Sequence, residues 1–108
     1  MPRIARKITQ FTQSEIKQLF RIARTIYRNA GLSIRIAPRS GDIGRLLIIT
    51  SRKIGTAPER NKIRRQLKAI FYQEKLYELP YDYIIHTTKE SILLTFQELK
   101  AILTAAKL

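Results

Sequence analysis

The sequence predicts a mixed α+β fold, a two-layer α/β sandwich in the order α-β-β-α-β-α, with room for one extra short strand. Three observations lead there. Thr-x-x-Glu capping boxes at Thr12, Thr56 and Thr95 each open a stretch with apolar residues at helical spacing. Three β-rich runs, at 32–37, 45–50 and 81–86, lie between them. The chain of 108 residues suits one domain, 1–108, with no repeat and no Ser/Gly-rich linker.

Residues 1–11 are basic and aperiodic, and are expected to be flexible or loosely docked. After Thr12, the residues Ile16, Leu19, Phe20 and Ala23 form one apolar stripe. Lys17, Arg21 and Arg24 lie off it. Residues 25–28 fit a short edge strand, and Asn29-Ala-Gly31 a turn. In 32–37, Leu32, Ile34 and Ile36 alternate with Ser33 and Arg35, so Arg35 shares a face with Ser33. Pro, Ser and Gly mark 38–44 as a loop. The run 45–50 is apolar enough for a central strand buried on both faces. The helix after Thr56 is expected to reach about Leu76, with Ile63, Leu67, Ile70 and Phe71 inward. Pro80 precedes the strand at 81–86. The last helix presents Phe96, Leu99, Ile102 and Leu103.

Charge narrows the function. The chain carries 21 Lys+Arg against 8 Asp+Glu, a net +13. Residues 1–68 hold 17 of the cations and three carboxylates, a net +14, and the remainder is −1. A cationic excess confined to two thirds of a chain points to an anion-binding face. There is no cysteine, hence no disulfide framework or thiolate metal site, and His86 is the one histidine. The carboxylates show no paired spacing for two-metal chemistry. Residues 1–7 lack the apolar core of a signal peptide, and no run is long enough to span a membrane. These features predict a cytoplasmic protein with no catalytic and no metal-binding residue of its own.

The informative stretch is 50–68. Arg52 and Lys53 follow a strand end, Gly55 permits a tight turn, and a helix N-terminus supplies free N–H groups. On the helix wheel, Asn61, Arg64, Arg65 and Lys68 cluster beside the apolar stripe. Arg60 falls at the stripe's edge, so its stem is expected to pack and its guanidinium to be held. Arginines suit phosphate bidentately, and an asparagine adds contacts to sugar or base edges. A membrane surface and a merely solvated face are the competing readings. The narrow apolar stripe and the cations at the adjoining strand end favour nucleic acid. The compact α/β pattern suits RNA, and no DNA-reading motif is present.

The residues of 51–71 resemble the signature of the bacterial ribonuclease P protein component. Ser51, Lys53, Gly55, Ala57, Arg60, Asn61, Arg64, Arg65, Leu67, Lys68 and Phe71 fall at the signature's positions. Residues 82–85, Lys89 and 94–96 are similar to the family's last strand and last helix cap.

The resemblance implies an α/β sandwich with a left-handed βαβ crossover, a hand the general rule disfavours. It implies the small partner of a catalytic RNA, together removing the 5′ leader from precursor tRNA, with Mg²⁺ acting mainly through the RNA. The protein alone is then inactive, binds no membrane or DNA, and is a monomer bound 1:1 to the RNA. By motif, Arg52, Lys53, Arg60, Asn61, Arg64, Arg65 and Lys68 would contact RNA. Phe20, Lys17, Arg35 and Lys89 would line a cleft for the single-stranded leader. Phe20 also fits the helix stripe, so core packing is its other reading. The chain departs from the family at Ile16 and Arg35, where aromatics are common, and at Thr88, where arginine is. Those departures imply weaker stacking on the leader and a stronger electrostatic grip. A general RNA-binding or ribosome-associated protein and a self-sufficient nuclease are the alternatives.

Overall fold

The computed structural model describes residues 7–29 and 31–105. Among them the chain runs through α1 (Gln13–Ile22), β1 (Arg24–Arg28), β2 (Leu32–Pro38), β3 (Leu46–Ile49), α2 (Ala57–Gln73), β4 (Tyr81–Thr87) and α3 (Phe96–Ala105). Short 3₁₀ turns at Leu76–Glu78 and Lys89–Leu93 flank β4. This is the expected order with the extra strand present.

All three capping boxes form. Thr12 N donates to Glu15 Oε1 at 2.8 Å and Glu15 N to Thr12 Oγ1 at 3.1 Å. The pairs Thr56/Glu59 and Thr95/Glu98 repeat the exchange. Each box satisfies two N–H groups that a helix start otherwise leaves without partners.

The sheet order is β1-β2-β4-β3. β1 and β2 pair antiparallel, as do β2 and β4, whereas β3 runs parallel to β4 across the α2 crossover. Strand β3 is therefore an edge strand, not the central strand expected from its apolar run. The connection 39–45 leaves a place beside β2 that the α2 crossover later fills with β4, and an apolar run reports burial of faces but not lateral neighbours. The strand buried along most of its length is β4.

Alternation divides the sheet into two faces. On one, Leu32, Ile34, Ile36, Leu46, Tyr83 and Ile85 meet the inward stripes of α2 and α3. Phe71 packs edge-on against Tyr83, ring centroids 5.4 Å apart. On the other face a smaller cluster joins Leu19 of α1 to Ala37 and Ile84, with Phe11, Ala23, Leu47 and Ile49 around it.

Two further expectations need correction. Helix α2 stops at Gln73, because Lys75 adopts a left-handed conformation (φ 54°) and redirects the chain into the 3₁₀ turn. The segment 7–11 is docked rather than loose. Ile8 is fully buried and its carbonyl accepts from Leu46 N at 2.7 Å. Ile8 enters the helix-side core whereas Phe11 packs against the α1-side cluster, so the two share no single face for pattern reading to find. Residues 1–6 of that expectation lie outside the described residues.

Candidate nucleic-acid interface

The expected RNA-contacting residues are built on the β3-to-α2 connection. Thr87 Oγ1 donates to the Ile49 carbonyl at 3.1 Å, tying the end of β3 to the end of β4. The chain then turns on Ser51, whose carbonyl accepts from Ile54 N at 3.0 Å. Ile54 is buried and anchors the loop, leaving Arg52 and Lys53 exposed. Gly55 closes the turn at φ 60°, where a Cβ would run into the Ile92 side chain and crowd the Glu59 carboxylate.

Arg60 has a defined place. Its Nη1 donates to the carbonyls of Arg52 and Gly55, each at 2.9 Å. The guanidinium thus cross-braces the loop that presents Arg52 and Lys53, as its place at the stripe edge led one to expect. One turn on, Arg64 Nη1 donates to Asn61 Oδ1 at 3.3 Å. Asn61, Arg64 and Arg65 are exposed and Lys68 is half-buried. Among the described residues the three ion pairs are Arg45–Glu15, Arg45–Asp82 and Lys100–Glu74, and none neutralises this arc. The Thr56 N–H is the largest influence holding the Glu59 carboxyl below its ordinary value. That charge sits at the α2 N-terminus, bonded to the cap, and does not face the arc.

The second group lies on the α1 side of the sheet. Arg35 Nη2 donates to the carbonyls of Phe20 at 3.1 Å and Ala23 at 3.3 Å. Its guanidinium carbon stands 5.7 Å from the Phe20 ring centre. Arg35 thus caps the carbonyl end of α1, and part of its donor capacity is spent inside the fold. Phe20 is 36% exposed and belongs to neither apolar cluster, so its core-packing reading falls. Beyond the end of α1 the sheet face is open. Registers put Arg28 beside Ser33, Ser33 beside His86 and His86 beside Ile49. Alternation places these side chains on the face that carries Arg35.

Lys17 is exposed on α1, one turn before Phe20. Lys89 lies elsewhere. It follows β4, in the turn whose Ile92 sits against Gly55, and so borders the Arg52–Lys53 loop rather than the Phe20–Arg35 pair. Because β3 and β4 run parallel, both strands end at the same end of the sheet, toward which Arg52, Lys53, Lys89 and Arg28 lie.

Sequence reading missed Arg28 and His86 as part of this open face; His86 alternates with buried Ile85 and Thr87, which carries the signal, whereas Arg28 ends a bulged strand without alternation. It also missed Arg45 as a hub for several segments, which no local pattern encodes. No group of three or more His, Cys, Asp or Glu side chains comes together among the described residues. None of the described helices is long and apolar enough to cross a membrane.

The arrangement offers polyanion contacts along one arc and a half-open, cation-bordered sheet face. The Ribonuclease P family model matches residues 5–107. No curated protein sequence matches the chain significantly. The fold is similar to that of the RNase P protein of Staphylococcus aureus, at 20% identity and TM-score 0.77, covering 92% of this chain and 91% of that one. The RNase P protein of Thermotoga maritima aligns at 20% identity and TM-score 0.75, over 92% and 94%. A Staphylococcus aureus RNase P protein mutant, described as defective in mRNA degradation activity, aligns at 20% identity and TM-score 0.80, over 95% and 87%.

Proposed function

Because this chain belongs to the ribonuclease P protein family, we propose that it binds the catalytic RNA of ribonuclease P and the 5′ leader of precursor tRNA, and assists RNA-catalysed removal of that leader. The observation that carries this reading is the arc of Asn61, Arg64, Arg65 and Lys68, free of ion pairs among the described residues, beside the braced loop of Arg52 and Lys53. Several cations at fixed positions suit a structured RNA backbone better than a mobile polyanion. Arg60 works as a positioning residue for that loop.

The leader lies on the open sheet face, with Phe20 as a stacking surface, Arg35 and Lys17 beside it, and Lys89 farther along, at the end of the sheet where Arg28 stands. The single strand is sequence-tolerant there, because every base offers a face to stack. Mg²⁺ serves the RNA's hydrolytic chemistry. The protein neutralises phosphate repulsion so that the folded RNA and its substrate need less of the ion. The protein acts as a monomer, 1:1 with the RNA, in the cytoplasm.

Reconstitution tests the reading. A bacterial RNase P RNA and a precursor tRNA are mixed with the protein at low Mg²⁺. Correct 5′ cleavage, absent without the protein, is expected. Tight RNA binding without rescue would favour a general RNA-binding protein. Cleavage by the protein alone would favour a self-sufficient nuclease.

A further inference from the structure

Strand β3 and helix α2 enclose a groove of about 620 Å³, within the roughly 300–1,000 Å³ of small-molecule sites. Its apolar floor comes from Leu46, Ile48 and Ala69, and Leu47, whose side chain packs on the other face, also borders it. One rim carries Arg64, Arg65 and Lys68, and no carboxylate lines it. Tyr72 forms an end wall, its ring stacked on Tyr77 with centroids 5.9 Å apart and planes 21° off parallel. An aromatic wall supported in this way is already in place before a ligand arrives.

The groove also has hydrogen-bonding groups to offer. β3 pairs on one side only, with β4. In a parallel ladder, alternate residues direct both backbone groups to the same side. The Arg45 carbonyl accepts from Tyr83 N, facing β4, whereas Leu46 N reaches outward to Ile8. Ile48, two residues on, therefore turns its N–H and C=O outward to the free edge. Ile48 is half-buried, and these two groups form an adjacent donor and acceptor at the strand's free edge.

We propose that this groove receives one unpaired nucleobase of the RNA bound by α2, stacked against the Tyr72 wall, read by the Ile48 backbone, and flanked by phosphates on Arg64, Arg65 and Lys68. The inference rests on the proposed RNA-binding role and adds a base site to it. A protein strand is the competing occupant of a free edge. It fits less well, because the strand is four residues long and its first outward N–H is already taken by Ile8. The charged groups that line the groove are all cations, and they call for an anion.

The test separates base from phosphate. Ala69→Leu fills the groove without changing charge. Its affinity for a bacterial RNase P RNA is expected to fall about tenfold, the scale of one lost base stack. The slope of log affinity against log salt should stay unchanged, since no phosphate contact is removed. The natural chain has no cysteine, so Gln73→Cys at the groove's end accepts a single photo-crosslinker and leaves the floor intact. It should mark one unpaired nucleotide in the complex. Unchanged affinity of a folded Ala69→Leu, or crosslinks confined to paired stems, would overturn the proposal. The crosslink decides the question even where Ala69→Leu does not fold. Failure of the unmodified protein to bind the RNA would overturn the functional reading and this one with it, whereas RNA binding with paired-stem crosslinks overturns only the base site.

Discussion

Arg45 Nη2 lies 2.8 Å from Glu15 Oε2, so the residue that precedes β3 grips the first turn of α1. The same guanidinium donates to the Gln10 carbonyl and to Ser40 Oγ, each at 2.9 Å, and stands 4.4 Å from the Phe11 ring centre. Asp82 Oδ2 is 3.7 Å away, and Asp82 Oδ1 accepts from Arg45 N at 2.8 Å. One side chain thus joins the N-terminal segment, α1, the 38–44 loop and β4. Arg45→Met keeps much of the stem but leaves buried Asp82 without its cation. The expected loss is about 3 kcal/mol, the scale of breaking a buried pair. Urea unfolding checks it, and a loss below about 1 kcal/mol would place the pair with weak surface contacts.

The same contact sets an acid dependence. Hydrogen bonding from the Arg45 guanidinium, followed by the Thr12 N–H, lowers the Glu15 carboxyl from 4.5 to about 2. A carboxyl lower in the folded state stabilises the fold above its unfolded value. That stability is fully present above about pH 4.5 and is lost as pH falls toward about 2. Asp82 has the opposite sign. Burial raises its carboxyl, so its protonation on acidification favours the fold and offsets part of the loss. Glu15→Gln is therefore expected to be less stable at neutral pH and to show a flatter decline in thermal melts through the acid range. A decline as steep as the parent's would assign the acid sensitivity elsewhere.

What was legible in the sequence was local. A capping box exchanges bonds between residues three apart, so all three helix starts could be read from Thr and Glu alone. Alternation put Arg35 and Ser33 on one face because a strand has a period of two. The place of β3 at the sheet edge was not legible, since only its non-local pairing with β4 decides it. Ile8 and Arg45 were missed for a related reason: each is a single residue whose partners lie far along the chain. Within the candidate site, wheel positions gave the arc of Asn61, Arg64, Arg65 and Lys68. The division between exposed and spent cations was visible for Arg60 but not for Arg35, whose partners belong to α1.

Arg64→Ala with Arg65→Ala is expected to weaken binding to the RNase P RNA and to flatten its salt dependence. Each lost phosphate contact lowers the log–log slope by about 0.7–0.9. Both side chains are exposed and free of ion pairs among the described residues, so fold stability should change by no more than about 0.5 kcal/mol. Filter binding across a salt series measures slope and affinity together. An unchanged slope would remove the two arginines from the interface.

Phe20→Ala separates leader recognition from fold stability. The ring is 36% exposed and lies outside both apolar clusters, so its removal opens no cavity in either of them. Stacking on a single strand contributes about 1–3 kcal/mol per base. Binding of precursor tRNA to the holoenzyme should therefore weaken about tenfold, with mature tRNA almost unaffected. Equal losses for the two RNAs would mean that Phe20 acts through the position of Arg35 rather than on the leader.

Gly55 and Gly41 form a matched pair for testing the loop. Gly55 sits at φ 60°, and a Cβ there would collide with Ile92, whereas a Cβ on Gly41 meets nothing within 4 Å. A left-handed conformation costs an L-residue about 1–2 kcal/mol, and the collision adds to it. The Gly55 carbonyl is also one of the two acceptors that hold Arg60. Gly55→Ala should therefore disturb that brace and, through it, the presentation of Arg52 and Lys53. Gly55→Ala is expected to reduce both thermal stability and RNase P RNA affinity. Gly41→Ala should leave both within error. If Gly55→Ala lost stability but kept full affinity, the loop geometry set by Arg60 would not be part of the RNA contact.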